Sequence, residues 1–282
     1  MTGGTSDWDA ADYVAHSAAQ QLWARELIEK LRLRGDEAVL DIGCGDGRAT
    51  AMIAERLPRG SALGVDSSPS MIAKAREQFP TAGKSRSAGG AAGKDGGAGL
   101  ANLTFRLMDA RALDLPPAYD VAFSTAALHW MSDHRAILRG VRAALVPGGR
   151  LLFEMGGRGN IAEALAVVDE VVARPRWRGF FDGFVAPHHF FGREEYEIWL
   201  PEAGFDVSRI RVFERDMPHA GRAALLGWLR TTWFTYVDRV PQELAAAFVE
   251  EVADAYEAAH PPDGDGVYHV QLMRLEVEAR VA

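Results

Sequence analysis

The sequence predicts an α/β fold with a largely parallel sheet, and three observations carry that expectation. Short apolar runs alternate with helix-period segments in five βα steps over residues 20–156. The first of these runs, Val39 to Gly47 (VLDIGCGDG), ends in glycines at alternate positions, Gly43, Gly45 and Gly47, and leads straight into a helix-like run from Arg48 to Leu57. Acids stand at the ends of the first three predicted strands, at Asp41, Asp66 and Asp109. A turn at the carboxyl end of a strand is where open α/β sheets hold their ligands.

Composition bounds the function classes. A chain of 282 residues with 48% apolar and 25% charged residues is ordinary for a globular protein, and reads as one domain, 1–282, with room for an elaborated cap. A net charge of −8 argues against a nucleic-acid partner. Cys44 is the single cysteine, so neither an intramolecular disulfide nor a cysteine-based zinc site is expected. Its place inside the glycine turn favours a small packing residue over a nucleophile. The N-terminus lacks the charged head and apolar run of a signal peptide, and no stretch approaches the roughly 20 apolar residues of a membrane span. A cytoplasmic protein with no membrane partner is the expectation. Oligomeric state is not legible.

The glycine spacing excludes two common phosphate-binding loops. The third glycine of GxGxxG would fall at Arg48 or Thr50, and no GK[ST] follows. What remains is DxGxGxG, which resembles motif I of the class I S-adenosylmethionine-dependent methyltransferases. That resemblance implies that Asp41 holds the amino group of the methionine moiety, directly or through water. It also implies that the cofactor lies against the main chain of Gly43, Cys44 and Gly45.

Taken in order, residues 2–6 read as disordered, and Asp7 to Ala19 carries Trp8, Tyr13 and His16. Gln20 to Leu33 has apolar residues at Leu22, Trp23, Leu27, Ile28 and Leu31, a helical period stopped by Gly35. In the resembled family this N-terminal segment, 1–33 here, is a lid, so Trp8 and Tyr13 either touch the cofactor or substrate or pack as core. Ala62 to Val65 is a second strand ending at Asp66, whose acceptor-only carboxylate suits the two hydroxyls of a ribose. Ser67, Ser68 and Pro69 open the next helix, with Met71 and Ile72 inward, flanking the adenine or simply packed. Residues 82–99 (AGKSRSAGGAAGKDGGAG) are too poor in apolar surface to order themselves and read as a mobile insertion at the amino edge. Leu103 to Leu107 is the third strand. Asp109, with Ala110 beside it, resembles the family position that accepts from the adenine amino group. Tyr119 to Ser124 is the fourth strand, Asp133 caps a helix through Leu145, and Pro147-Gly148-Gly149 turns into a fifth strand, Arg150 to Met155. Ser67 and Ser124 complete the expected cofactor set.

Further segments extend the resemblance over nearly the whole chain. Asp-Ser-Ser-Pro-Ser-Met at 66–71, Leu-His-Trp-Met at 128–131 and Met-Pro-His…Trp at 217–228 look like the trans-aconitate methyltransferase group, as does the N-terminal Trp-Asp…Tyr. The resemblance implies a Rossmann-like seven-stranded sheet, with strand seven antiparallel between strands five and six, helices on both faces and a helical C-terminal cap. The cap is expected over 216–262, between strands six and seven.

The chemistry then follows from the acceptor. A sulfonium already carries an electrophilic methyl group, so positioning dominates. A carboxylate nucleophile is ionised at neutral pH and needs no base, whereas a phenol, amine or carbon nucleophile usually does. His129 beside Trp130 can be a base, a hydrogen-bond donor or a structural residue; the two form the catalytic candidate pair. Arg158, Arg230 and Arg274 are candidate carboxylate anchors, since a guanidinium binds a carboxylate bidentately. Asn160 near strand five and Trp228 in the cap complete the substrate set. Adjacent His188 and His189 do not share a helix face, and no metal is expected. The expected function is O-methylation of a small (poly)carboxylic acid such as trans-aconitate. The alternatives are methylation of another small metabolite and a non-catalytic cofactor-binding protein.

Overall fold

The structure, a computed structural model, describes residues 18–80 and 100–282. Trp8, Tyr13, most of the proposed lid and the 82–99 insertion lie outside the described residues. The elements run α1 (Ala18–Lys30), β1 (Ala38–Ile42), α2 (Arg48–Ala54), β2 (Ser61–Asp66), α3 (Pro69–Gln78), β3 (Leu103–Leu107), β4 (Tyr119–Thr125), α4 (His134–Ala144) and β5 (Leu145–Gly156). After them come α5 (Ala162–Val172), α6 (Arg193–Glu202), β6 (Phe205–Ala220), α7 (Gly221–Thr232), the single turn α8 (Phe234–Val237), α9 (Gln242–Ala259) and β7 (Val267–Val281). The sheet has seven strands in the order β3-β2-β1-β4-β5-β7-β6, and β7 is antiparallel to both of its neighbours. The order reverses between β1 and β4, which creates a crevice at the carboxyl edge.

Both faces of the sheet are covered, and the two-residue period of a strand decides which side chain goes where. Leu40, Ile42 and Ala122 pack on one face against Ile137, Leu138 and Val141 of α4 and Tyr196 and Leu200 of α6. Val39, Val121 and Phe123 pack on the other against Leu27 and Ile28 of α1 and Ala51 and Ile53 of α2. Helix α4 shows why these segments fold as they do. Ile137, Leu138, Val141 and Ala144 recur on one side, and the Asp133 side chain accepts from the Ala136 amide at 2.9 Å to cap its first turn. Each such fully buried aliphatic contributes about 1.5–3 kcal/mol.

Three boundaries differ from the sequence expectation. Helix α1 ends at Lys30 because Arg32 takes a left-handed φ of 47°, so Gly35 is not its terminator; Leu22, one of the apolar positions of that helical period, is 56% exposed. Strand β5 starts at Leu145. Its register against β4 jumps from Tyr119↔Leu145 to Val121↔Arg150, which leaves Pro147-Gly148-Gly149 as an excursion within the strand. Strand β6 continues through Ala220, so 216–220 are strand and the helical insert begins at Gly221.

The insert forms a separate core. Val168 and Val171 of α5, Leu225, Trp228 and Leu229 of α7, and Phe248 and Val252 of α9 pack together with Val270 and Leu272 of β7. The upper part of the β6–β7 ribbon, Asp216–Ala220 against Val267–Gln271, pairs only with itself and extends past the edge of β5, carrying this second core over the carboxyl end of the sheet. Among the described residues no helix is long and apolar enough to cross a membrane.

Candidate functional site

Strand β1 delivers its last residues into a loop tied to β2. The Gly43 and Cys44 amides both donate to the Val65 carbonyl, at 2.8 and 3.0 Å. Gly43, Gly45 and Gly47 all have positive φ (70°, 53° and 84°), the region where a Cβ is penalised. Their surroundings differ. A Cβ on Gly43 would sit 2.3 Å from the Ala127 methyl, and one on Gly47 would sit 2.6 Å from the Phe105 ring. Gly45 has nothing within 4 Å among the described residues, where among the three it alone presents bare main chain to open space. Cys44 points inward. A Cβ on Gly64 would meet its Sγ at 2.9 Å, and burial holds its thiol well above the usual range, so it packs and does not attack.

The acids divide into three environments. Asp41 is buried and accepts from the Thr50 hydroxyl at 2.7 Å; burial, with Asp66 nearby, pushes its carboxyl up to about 7. Asp66 accepts from the Gly45 amide on Oδ2 and the Ser68 amide on Oδ1, both at 2.9 Å, and so locks the glycine loop to the start of α3. Burial raises its carboxyl as well. Ser68, not Ser67, caps α3 through its hydroxyl to the Met71 amide, while Ser67 is exposed and Met71 buried. Asp109 is paired with a neighbouring cation. Both of its oxygens accept from Arg111, at 2.7–3.1 Å, and the guanidinium holds its carboxyl below the usual range. Ala110 beside it is buried. Ser124 is fully buried and donates to the Ile42 carbonyl at 2.8 Å, so it ties β4 to the end of β1.

These residues fit S-adenosyl-L-methionine. Two acids held in a desolvated crevice disfavour ionisation, and a ligand bearing an ammonium and a sulfonium supplies the missing counter-charge. Gly45 offers the open stretch of backbone against which such a ligand can lie.

Beside the crevice, a cavity of about 70 Å³ is lined by His129, Trp130, Asn160, His188, Trp228 and Arg274, among others. The turn Leu128–Trp130 carries its first two aromatic groups. That turn is held by His134, whose Nε2 lies 2.8 Å from the Leu128 carbonyl and whose Nδ1 lies 2.7 Å from the Tyr196 hydroxyl. Burial pushes His134 down to about 4, so it is neutral, with Nε2 donating to the carbonyl. His129 Nδ1 accepts from the Gly156 amide at 3.3 Å, which places the proton of its neutral ring on Nε2. Burial first, then the Arg274 charge, holds His129 well below its usual range. Its ring lies 5.9 Å from Phe190 and 6.4 Å from His188, stacked on both.

Arg274 sits in the wall of this cavity. It is 4% exposed, and its Nε donates to Glu154 Oε1 at 3.3 Å. Among the described residues this is its one side-chain hydrogen bond, so both Nη groups lack a partner there. Asn160 Oδ1 and His188 Nδ1, also in the wall, are buried without a partner among the described residues. Two cavity residues, Ala126 and Ile161, hold positive φ (54° and 51°) without being glycine, and such strain gathers where a wall must be shaped.

Among the expected substrate residues, the structure brings together Asn160, Trp228 and Arg274 with His129 and Trp130. Arg158 and Arg230 do not join them. Arg158 is 62% exposed and pairs with Glu195 and Glu194 of α6, and Arg230 is exposed on α7 away from the cavity lining. Sequence reasoning missed Glu154, Thr50 and Met217, which reach the site through the folding of β5, α2 and β6; a buried acid inside an apolar strand, LLFEM, was the signal for Glu154.

The comparisons agree with this geometry. Residues 40–151, the segment carrying the glycine loop and the first four strands, match the methyltransferase domain family. The trans-aconitate 2-methyltransferase of Methylobacterium radiotolerans is 30% identical over 285 residues, covering 98% of this chain and 99% of the relative. The enzyme of the same name from Methylobacterium nodulans is 28% identical over 280 residues, covering 98% of each. The solved structure of the YcgJ protein from Bacillus subtilis shares the fold, with a TM-score of 0.56 at 16% identity, covering 91% of this chain and 97% of that one. A crevice with two desolvated acids, a bare glycine backbone and a relative aligned from end to end lead to one assignment: the chain belongs to the trans-aconitate 2-methyltransferase family of S-adenosylmethionine-dependent methyltransferases.

Proposed function

We propose that the chain transfers a methyl group to a carboxylate oxygen of a small polycarboxylic acid such as trans-aconitate, forming a methyl ester. The observation that carries this reading is Arg274, a buried guanidinium with both Nη groups unengaged among the described residues, in the wall of the cavity that also holds His129. A fork of that kind matches a carboxylate bidentately. The names of the relatives point to the same acceptor class.

The residues divide the work. Asp41 holds the ammonium end of the cofactor, Asp66 and the Gly45 main chain hold its nucleoside and methionine portions, and Asp109 and Met71 border the adenine. When bound, the cofactor supplies an electrophilic methyl group on a sulfonium. Arg274 anchors one carboxylate of the acceptor, with Asn160 as a second polar contact. His129, with its proton on Nε2, donates a hydrogen bond that fixes the reacting carboxylate. Trp130, Phe190 and Trp228 exclude water and confine the acid. The nucleophile enters already ionised, so no proton has to be removed, and orientation supplies the rate. A phenol or amine acceptor would need a base, and the one ring nitrogen of His129 able to accept is engaged by Gly156. The acceptor is a small metabolite and not a nucleic acid, in keeping with the net charge of −8, and the setting is cytoplasmic.

The test is incubation with methyl-labelled cofactor and a panel of mono-, di- and tricarboxylic acids. Label released by mild base and dependent on at least two carboxylates supports the reading. Base-stable label, or equal transfer to monocarboxylates, sinks it.

A further inference from the structure

A second concavity lies at the opposite edge of the sheet. It has a volume of about 850 Å³ and is formed by the segment leading into β1, the Pro147-Gly148-Gly149 excursion of β5, the start of β6 and the end of β7. Nothing in the proposed reaction uses it. Its charge is unusual for a chain with a net charge of −8: six cations, Lys30, Arg32, Arg34, Arg150, Arg209 and Arg280, face three acids.

The acids are already engaged. Glu37 accepts from the Arg34 and Gly35 amides, Asp120 from the Ala38 amide at 2.8 Å, and Glu278 pairs with Arg209. Lys30 and Arg209 pair with the buried Glu276, and Arg34 lies near Asp36 and Glu37. Three guanidiniums are left over. Among the described residues the side chains of Arg32 and Arg280 make no hydrogen bond or ion pair, and that of Arg150 donates only to the Leu31 carbonyl. Arg150 is also partly buried, and its desolvation, with Arg280 and Arg34 close by, outweighs the opposing pull of Glu37 and Glu278 and lowers its pKa. The loop that presents Arg32 holds it at a φ of 47°.

We propose that this concavity is a binding site for a compact oligo-anion, a polyphosphate or polycarboxylate carrying three or more negative charges, gripped by Arg32, Arg150 and Arg280. The volume falls within the usual range for a small-molecule site. Guanidinium forks match phosphate and carboxylate oxygens equally well. Among the described residues no aromatic ring lines the concavity and none offers a platform on which a nucleobase would stack, so the recognised part is the anion itself. The site lies at the amino edge, whereas the glycine loop and the Arg274 cavity lie at the carboxyl edge, so occupancy of one does not exclude the other.

The experiment is thermal unfolding of the whole chain in inorganic tripolyphosphate or citrate against sodium chloride of matched ionic strength. A ligand that binds the folded state alone raises Tm, here by about 3 °C or more at saturating anion. The comparison protein is the double variant Arg32→Gln, Arg280→Gln, in which two exposed side chains change and which should keep the wild-type Tm in chloride and bind S-adenosylmethionine normally. Loss of the shift in this variant for either anion supports the site, and the anion whose shift is lost identifies the source. Absence of any shift beyond chloride, or shifts from both anions that persist in the double variant, overturns it.

Discussion

Arg274 Nε meets Glu154 Oε1 at 3.3 Å across the β5–β7 pair, with both side chains almost wholly buried. The pair is diagonal in the ladder, since Arg274 stands opposite Gly156 and Glu154 opposite Glu276. Glu154 neutralises one side of the guanidinium, and the proposed function gives the other to an acid. Removing one partner of such a pair leaves the other uncompensated, at a cost of about 3–5 kcal/mol. The variant Arg274→Met should therefore lower Tm and raise the acceptor KM at least tenfold, while cofactor affinity by calorimetry stays within about twofold. The double variant Glu154→Gln, Arg274→Met should recover most of the stability and none of the turnover. An unchanged KM in Arg274→Met would remove Arg274 from the acceptor site.

Asp41 makes a pH prediction with a definite sign. Its carboxyl, 3.8 in the ordinary case, is held at about 7 by burial and by Asp66. Between about pH 4 and 7 the unfolded chain has shed a proton that the folded chain retains. Stability from this group is thus fully present below about pH 4 and is lost as pH rises through about 7. Cofactor binding needs the ionised form, so its affinity should climb over the same window. Asp41→Asn should flatten both dependences, make the unliganded protein more stable at pH 8, and weaken cofactor binding by roughly 10–100-fold, the scale of a charged hydrogen bond. Calorimetric titrations at pH 6, 7 and 8 decide it; equal affinity across the series is the losing outcome.

The alternate glycines should separate in mutagenesis. Gly43→Ala brings a methyl to 2.3 Å from Ala127 and should destabilise the fold outright. Gly45→Ala meets no protein atom and carries only the left-handed penalty, about 1–2 kcal/mol. It should lower Tm slightly and cofactor affinity substantially. Equal effects of the two substitutions on Tm would contradict the assignment of Gly45 as the open face.

His129 should not titrate in the working range. Its Nδ1 accepts from Gly156, and burial keeps the ring neutral. The pH profile of kcat/KM should show no limb near 6.5 of its own. His129→Gln, which retains a donor, should keep more activity than His129→Leu. A limb near 6.5 that vanishes in both variants would restore the general-base role.

The sheet was legible because its signals are local: apolar runs, glycine turns, and Asp133 three residues ahead of an amide it can cap. The glycine loop and Asp66 were legible for the same reason, since loop and acid each terminate a strand. What the sequence hid depends on distance along the chain. Arg158 and Arg274 look alike as residues near strand ends, yet one is drawn outward by Glu194 and Glu195 while the other is enclosed when β7 inserts between β5 and β6. Glu154 gave a readable sign, an acid amid LLFEM, but its partner lies 120 residues away. The partner of Asp109 was within reach of a local reading, since Arg111, two residues on, reaches back to it.

The two ends of the helical insert are neighbours, with Ala220 opposite Val267 on paired strands. A segment that leaves and re-enters a sheet at one rung behaves as a cassette. Its length and contents can change while the register of β6 and β7 below stays fixed. Trp228 and Thr232 reach the cavity from the cassette, whereas Arg274, Glu154 and the glycine loop belong to the scaffold beneath. On the proposed reading the scaffold activates and the cassette selects, so transplanting residues 221–266 from a relative should change the acceptor without rebuilding the methyl-donor crevice.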